Sequence, residues 1–404
     1  MSVPTFAIHN ALALISILAW IALPPTARAV LISVGDGTGN TSPPTADPGF
    51  ANVGELNGLS GVYVRNGWVL TAGHVGVGSI LLGGVLYPAV PGSGVRFQNA
   101  DSSVSDLLAF KLRERPPLPD LLLANDAPTV NALLTLIGRG RNRGEATSFT
   151  GREGWTWGAG TAIRWGTNRI AEVRRFSLDT QSFWIYFDDL PGQPGGQAES
   201  DIVTGDSGGA AFSGSGSGAE LRGIMIARAT YEGQPEETSL YGNAGIIADL
   251  FHYREQLLAV IDQPDCANGL DDDGDGFADY PDDPGCTHAS DELEKDDRLV
   301  CDNALDDDGD GLTDASDPGC ARPDDNNERG AIYGCDNGID DDNDELSDFP
   351  ADDGCLHPTN LVEAPEPDLD LLLVSGLFLL GFLTRKRSVT KPALKSYSST
   401  RFTL

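Results

Sequence analysis

The sequence predicts an all-β domain, a barrel or sandwich closed by one C-terminal helix, over residues 30–262. Two observations predict it. Short apolar runs alternate with Gly, Asn and Pro turn signals throughout that stretch. Only one run near its end has apolar residues at three- and four-residue steps.

The strands can be taken in order. Residues 60–71 (SGVYVRNGWVLT) read as two strands around an Asn66-Gly67 hairpin turn, because both turn positions need positive φ. Residues 106–112, 133–137, 182–187 and 221–227 are further strands. Residues 247–261 read as the helix.

The chain has 404 residues and a formal charge of -33. Residues 263–358 hold 32 Asp or Glu against 4 Lys or Arg, so they carry -28 of it. Such a segment repels nucleic acid and anionic membrane surfaces and attracts cations. All six cysteines (Cys266, Cys286, Cys301, Cys320, Cys335, Cys355) lie in this segment, and the even count at regular spacing suggests disulfides.

Export is expected from the N-terminus. An apolar run over residues 11–23 precedes Ala27-Arg28-Ala29, an A-x-A cleavage pattern, so residues 1–29 read as a signal peptide. Signal peptidase would leave Val30 first; the alternative is an uncleaved N-terminal anchor.

Three patterns then occur in order: Thr71-Ala-Gly-His74, Asp106-Leu-Leu-Ala-Phe-Lys-Leu112 and Gly205-Asp-Ser207-Gly-Gly209. A serine hydroxyl needs a base to become a nucleophile, and His serves near neutral pH. A carboxylate on the other ring nitrogen fixes the tautomer. Asp106 opens an apolar strand that would bury it beside His74; its rival Asp101 sits among Ser and Asn on a loop.

These residues resemble the His, Asp and Ser signatures of the trypsin-like serine peptidase family, over the whole β domain. The resemblance implies a chymotrypsin-like fold of two six-stranded β-barrels with a C-terminal helix. It implies a protein or peptide substrate and no cofactor for catalysis. It makes His74, Asp106 and Ser207 the triad, and the N–H groups of Gly205 and Ser207 the oxyanion hole. It puts Asp201, six residues before Ser207, at the base of the primary specificity pocket. Residues 221–228 resemble the strand that walls the pocket, and residues 243–247 the strand before the terminal helix. The wall reads Ile226-Ala227-Arg228 where the family has Ser-Trp-Gly. Arg228 is therefore placed to pair with Asp201 and cancel the charge that selects Lys or Arg. The domain lacks the family's disulfides, with Val75 beside the catalytic His, so its core stands on packing. No Ile-Val-Gly-Gly start is present; Val30 is the candidate whose amine would meet Asp206.

The acidic segment repeats. Three units run from Cys266 to Cys286, Cys301 to Cys320 and Cys335 to Cys355, with opening cysteines 35 and 34 residues apart. Each Cys pair is expected to close one disulfide. The first unit spaces Asp271, Asp273, Asp275, Asp279 and Asp282 around Gly276; the second spaces Asp306, Asp308, Asp310, Asp314 and Asp317 around Gly311. This resembles a calcium loop of EF-hand or thrombospondin type 3 kind, with hard oxygens at alternate positions. The third keeps Asp340, Asp342, Asp344 and Asp348, but has Glu345 for the Gly and Ala351 at the last position, where Asp352 could substitute. The expectation is structural Ca2+ in residues 263–358, serving a stalk and not the chemistry. The alternative is a disordered acidic linker. No Cys pair has the short spacing of a zinc site.

Residues 359–387 hold Pro365-Glu-Pro367, an apolar run over 371–383 and Arg385-Lys-Arg387; a basic tail, 388–404, follows. They resemble a PEP-CTERM sorting signal, which implies an exosortase in a Gram-negative bacterium. The alternative is a short transmembrane helix holding the chain in the membrane. The whole reads as an exported or surface-sorted serine endopeptidase. Its rival is a catalytically inactive peptidase fold serving surface adhesion on a calcium-stiffened stalk.

Overall fold

The structure is a computed structural model that describes residues 30–175, 180–188 and 199–365. The expected signal peptide and the apolar part of the expected sorting tail lie outside the described residues. Among the described residues, no helix is long and apolar enough to cross a membrane.

Two compact units meet between Glu294 and Lys295. The first repeat packs with the β domain in one of these units. The physical reason is a set of buried ion pairs between that repeat and the β domain, described below.

The fold is mostly β with few helices, and most of its strands gather in two large sheets. One sheet has seven strands, in the order Val85–Tyr87, Ile80–Leu82, Val53–Leu56, Leu59–Arg65, Trp68–Ala72, Val104–Lys111, Val95–Gln98. A second runs Arg164–Arg169, Leu133–Gly138, Ala210–Ser213, Glu220–Ala229, Ala244–Asp249, Gln181–Tyr186, Glu172–Arg175, with Leu122–Leu123 pairing beside it. Among the described residues the two large sheets have seven and eight strands, and not the expected six each. Short edge ribbons extend the first sheet, and the hairpin Arg143–Phe149/Arg152–Trp157 leaves the second to pair with Thr238–Leu240.

The Asn66-Gly67 hairpin forms as expected, with φ of 52° and 77°. The helix is shorter than expected, Arg254–Ile261. Residues 244–249 form a strand between Glu220–Ala229 and Gln181–Tyr186. There Ile246 and Ile247 enter two different core clusters on opposite faces of the sheet, a gain that a helix could not supply. The larger cluster packs Val62, Phe97, Phe110, Phe212, Ile224 and Leu257 together without a disulfide. Tyr253 crosses it, donating to Asn99 Oδ1 and accepting the Gln181 N–H, so its buried hydroxyl is satisfied.

The second unit holds the second and third repeats, built of turns and short 3-10 segments. The three expected disulfides are all formed: Cys266–Cys286, Cys301–Cys320 and Cys335–Cys355.

Candidate active site and acidic loops

His74 stands just past the end of strand Trp68–Ala72, in a turn closed by the Val75 N–H on the Ala72 carbonyl. That strand pairs with Val104–Lys111, which carries Asp106. The His74 backbone N–H donates to Asp106 Oδ1 and its ring Nδ1 meets Oδ2, each at 2.8 Å. Asp106 is 8 % exposed, and its own N–H donates to the buried Thr180 Oγ1 at 2.7 Å. The hydrogen bond to Asp106 raises the His74 pKa above its ordinary value, against the opposing effects of burial and Arg96. Arg96 grips the Ser105 and Gly73 carbonyls beside this turn. Asp101 is exposed and caps its own loop on Ser103.

Ser207 lies in a turn that docks on the first sheet through Ser60. The Ser60 N–H donates to the Ser207 carbonyl, and Ser60 Oγ donates to the Gly205 carbonyl. The Arg139 N–H donates to Ser60 Oγ, and Thr71 Oγ1 donates to the Ser60 carbonyl. Gly208, at φ +85°, fits so closely that a Cβ would stand 1.9 Å from the Ser60 oxygen and 2.2 Å from Thr71 Oγ1. The turn bearing Ser207 is thus seated on strand Leu59–Arg65, which pairs with the strand that leads to His74. Sequence reasoning passed over Ser60 because it lies inside an apolar strand; its only signal is a hydroxyl among buried aliphatics.

Asp206, Gly208 and Gly209 each donate their N–H to a backbone carbonyl. Among the described residues, the N–H groups of Gly205 and Ser207 donate to no protein acceptor. Ser207 Oγ makes no hydrogen bond to His74, whose bonds run to Asp106.

Asp206 is fully buried. Its Oδ2 accepts the Val203 N–H at 2.9 Å. Burial, with Asp201 adding to it, pushes its carboxyl up to about 8. A Cβ on Gly138 or Gly140 would come within 2.5 Å or 2.4 Å of that carboxylate, so both sites need glycine.

Asp201 and Arg228 do pair. Arg228 reaches Asp201 Oδ2 at 3.2 Å, Asn243 Oδ1 at 3.0 Å and the Thr238 carbonyl, with its guanidinium 4.9 Å from the Trp157 ring centroid. Burial raises the Asp201 pKa while Arg228 lowers it.

The acidic loops follow one plan with two departures from expectation. Asp271, Asp273 and Asp275 converge, as do Asp306, Asp308 and Asp310. Asp279, Asp314 and Asp348, expected as ligands, turn to the backbone instead. Asp279 accepts the Asn268 and Gly269 N–H groups, Asp314 those of Asn303 and Ala304, and Asp348 those of Asn337 and Gly338. Each has positive φ and locks its loop. The second departure is Asp282, which is exposed; Asp283 is buried in its place. The first unit has one residue more than the second before its Gly-Cys close, which shifts the count.

Asp283, Asp317 and Asp352 occupy equivalent places and are each about 98 % buried or more. Each gives Oδ1 to the N–H two residues on, and Oδ2 of each accepts no hydrogen bond. Burial, and after it Asp275, Asp273 and Asp271, pushes Asp283 up to about 6; burial does the same to Asp317. Buried carboxylate oxygens without a donor, beside three more carboxylates, fit a hard divalent cation. Buried Glu294, Glu328 and Glu363 close each loop by accepting two of its backbone N–H groups. In the third loop Glu345 takes φ +79°, and its N–H reaches Asp340 Oδ2 as Gly311 reaches Asp306 Oδ2.

No protein-family model matches this chain. No curated protein matches it either. Among solved structures it is similar to the inactive form of the Rv3671c protease, at 17% identity and TM-score 0.34, over 55% of this chain and 98% of that one. The active form, from M. tuberculosis, gives 17% identity and TM-score 0.33, over 59% and 94%. Neuropsin, a serine protease expressed in the limbic system of mouse brain, gives 17% identity and TM-score 0.35, over 50% and 87%.

Proposed function

We propose that the chain is an exported serine endopeptidase with His74, Asp106 and Ser207 as its triad. The observation that supports this reading is the doubly bonded His74–Asp106 pair, together with a Ser207 turn in which the Gly205 and Ser207 N–H groups donate to no protein acceptor among the described residues. Asp106 holds the imidazole with its proton on Nδ1, leaving Nε2 as base. Nε2 takes the Ser207 proton as Oγ attacks the peptide carbonyl. The Gly205 and Ser207 N–H groups stabilise the oxyanion. The amine leaves with the His74 proton, and water, deprotonated by the same base, releases the acyl group. The Arg228–Asp201 pair makes the primary pocket electrically neutral, which disfavours Lys or Arg there.

In this reading Ca2+ is structural. Asp271, Asp273, Asp275 and Asp283 would hold one ion, and Asp306, Asp308, Asp310 and Asp317 a second. Asp340, Asp342, Asp344 and Asp352 supply the same set in the third loop. When bound, the ion neutralises and cross-links these carboxylates. Signal peptidase would release the chain at Val30, and an exosortase or the apolar C-terminal run would fix it at the membrane or cell surface.

The missing Ser207–His74 hydrogen bond favours a second reading, an inactive fold used for surface adhesion. A fluorophosphonate probe separates the two. Labelling of the wild type and not of Ser207→Ala supports the peptidase; an unlabelled wild type supports the adhesion protein.

A further inference from the structure

Strand Val104–Lys111 carries Asp106 near one end and Lys111 at the other. The Lys111 ammonium is buried, with 1 % of the side chain exposed. It binds Asp265, and Asp272 Oδ2 at 2.9 Å, both from the first acidic repeat. It also lies 5.8 Å from the ring centroid of Trp68, its partner across the sheet. Arg115 adds Asp265 Oδ2 at 3.0 Å and the Glu292 carbonyl. A buried ammonium is stable only while its carboxylates stay in place.

Asp272 sits inside the acidic loop, between Asp271 and Asp273. Its N–H is held by Glu294 Oε2 at 2.6 Å. The carboxylates of Asp283 and Glu294 lie within 4.8 Å of each other, as do those of Asp271, Asp273 and Asp275. Cys286 beside them is in a disulfide and offers no thiolate. Asp283 is 2 % exposed, and its Oδ2 has no donor. This loop therefore carries mutually repelling carboxylates and an unsatisfied buried oxygen at the place where it must present Asp272. Asp307 and Asp341, at the equivalent position, are exposed and accept only the Asn303 and Asn337 side-chain amides from side chains.

We propose that the first repeat is a calcium-dependent clamp on the β unit. An ion held by Asp271, Asp273, Asp275 and Asp283 fixes the loop that presents Asp272 to Lys111, and so stabilises the strand that carries Asp106. The proposal rests on the calcium reading of the loops and is independent of the peptidase reading.

Tryptophan fluorescence tests it on the chain from Val30 onward. Trp68, Trp155, Trp157, Trp165 and Trp184 all lie in the β domain, and residues 263–404 contain none. Thermal unfolding followed by this signal reports the β domain alone. Ca2+ at a hundred times its dissociation constant should raise the midpoint by roughly 5–10 °C over chelator. Asp317→Asn should keep the rise, and Asp283→Asn should lose most of it. Lys111→Met should still bind Ca2+ by calorimetry yet show little rise. An unmoved wild-type midpoint overturns the clamp, as does a full rise in Asp283→Asn or Lys111→Met. If Lys111→Met fails to fold, the contrast between Asp283→Asn and Asp317→Asn decides alone. Fluorophosphonate labelling reads the peptidase proposal separately.

Discussion

Asp106 holds His74 twice, by the backbone N–H on one carboxylate oxygen and by ring Nδ1 on the other. The carboxylate thereby fixes both the turn and the tautomer. Asp106→Asn loses one of the two acceptors and favours the wrong tautomer. Peptide hydrolysis should fall by about four orders of magnitude. Ser207→Ala and His74→Ala should be comparably severe, with unchanged circular dichroism. Wild-type turnover in either alanine variant would remove the triad.

The raised His74 pKa sets a pH profile. The base must be neutral, so kcat/KM should rise with pH through a value above the ordinary histidine 6.5. Stability runs the other way: the pair's contribution is full below the unfolded pKa and lost as pH rises through the folded one. Asp106→Asn should move residual activity's acidic limb downward, measured across pH 5–9.

Arg228 neutralises Asp201. If the chain is the proposed peptidase, the wild type should therefore cleave poorly after Lys or Arg in a peptide library, and Arg228→Gly should improve that cleavage by about tenfold or more. Efficient wild-type cleavage after Arg, unchanged in the variant, would remove this account of the pocket.

Legibility followed locality. The Asn66-Gly67 hairpin, the cysteine pairs and the pairing of His74 with Asp106 were readable because turn chemistry and motif patterns are short-range. The Arg228–Asp201 pair was readable only through resemblance. The helix start was not, since Ile246 and Ile247 satisfy a helical step and a central strand alike. Asp283 was hidden by one extra residue in its loop, and Lys111 by a pairing partner 154 residues away.

Asp206 gives a second pH dependence. Its carboxyl is buried and pushed up to about 8. Its contribution is full below the ordinary carboxylate range and is lost as pH rises through about 8. Leu31 pairs with Asp201, and Val30 and Ile202 share one core cluster; Ile202 precedes Val203, whose N–H binds Asp206. A free Val30 amine should keep Asp206 ionised and flatten the fall. Unfolding midpoints at pH 5–9, for the chain starting at Val30 with a free or an acetylated amine, should differ most at high pH. Identical profiles would separate Val30 from Asp206.

Glu345 holds a conformation that suits glycine. Glu345→Gly should relieve about 1 kcal/mol and tighten Ca2+ binding by the third loop several-fold in calorimetry. Weaker binding would mean that the Glu345 carboxylate is itself a ligand.

The β domain should not stand without its first repeat. A chain ending at Gln263 loses Asp265 and Asp272, the carboxylates that the Lys111 ammonium binds, and keeps only the Trp68 ring beside it. Breaking a buried pair from one side costs about 3–5 kcal/mol, while replacing the stranded charge by an apolar side chain recovers much of it. The chain ending at Glu294 keeps every partner of Lys111 and should unfold at the higher temperature. Introducing Lys111→Met should destabilise that longer chain yet stabilise the one ending at Gln263. This reversal of sign is the decisive measurement, because a general loss of packing on truncation would make the substitution harmful in both. Equal midpoints for the two lengths would leave the buried lysine without consequence.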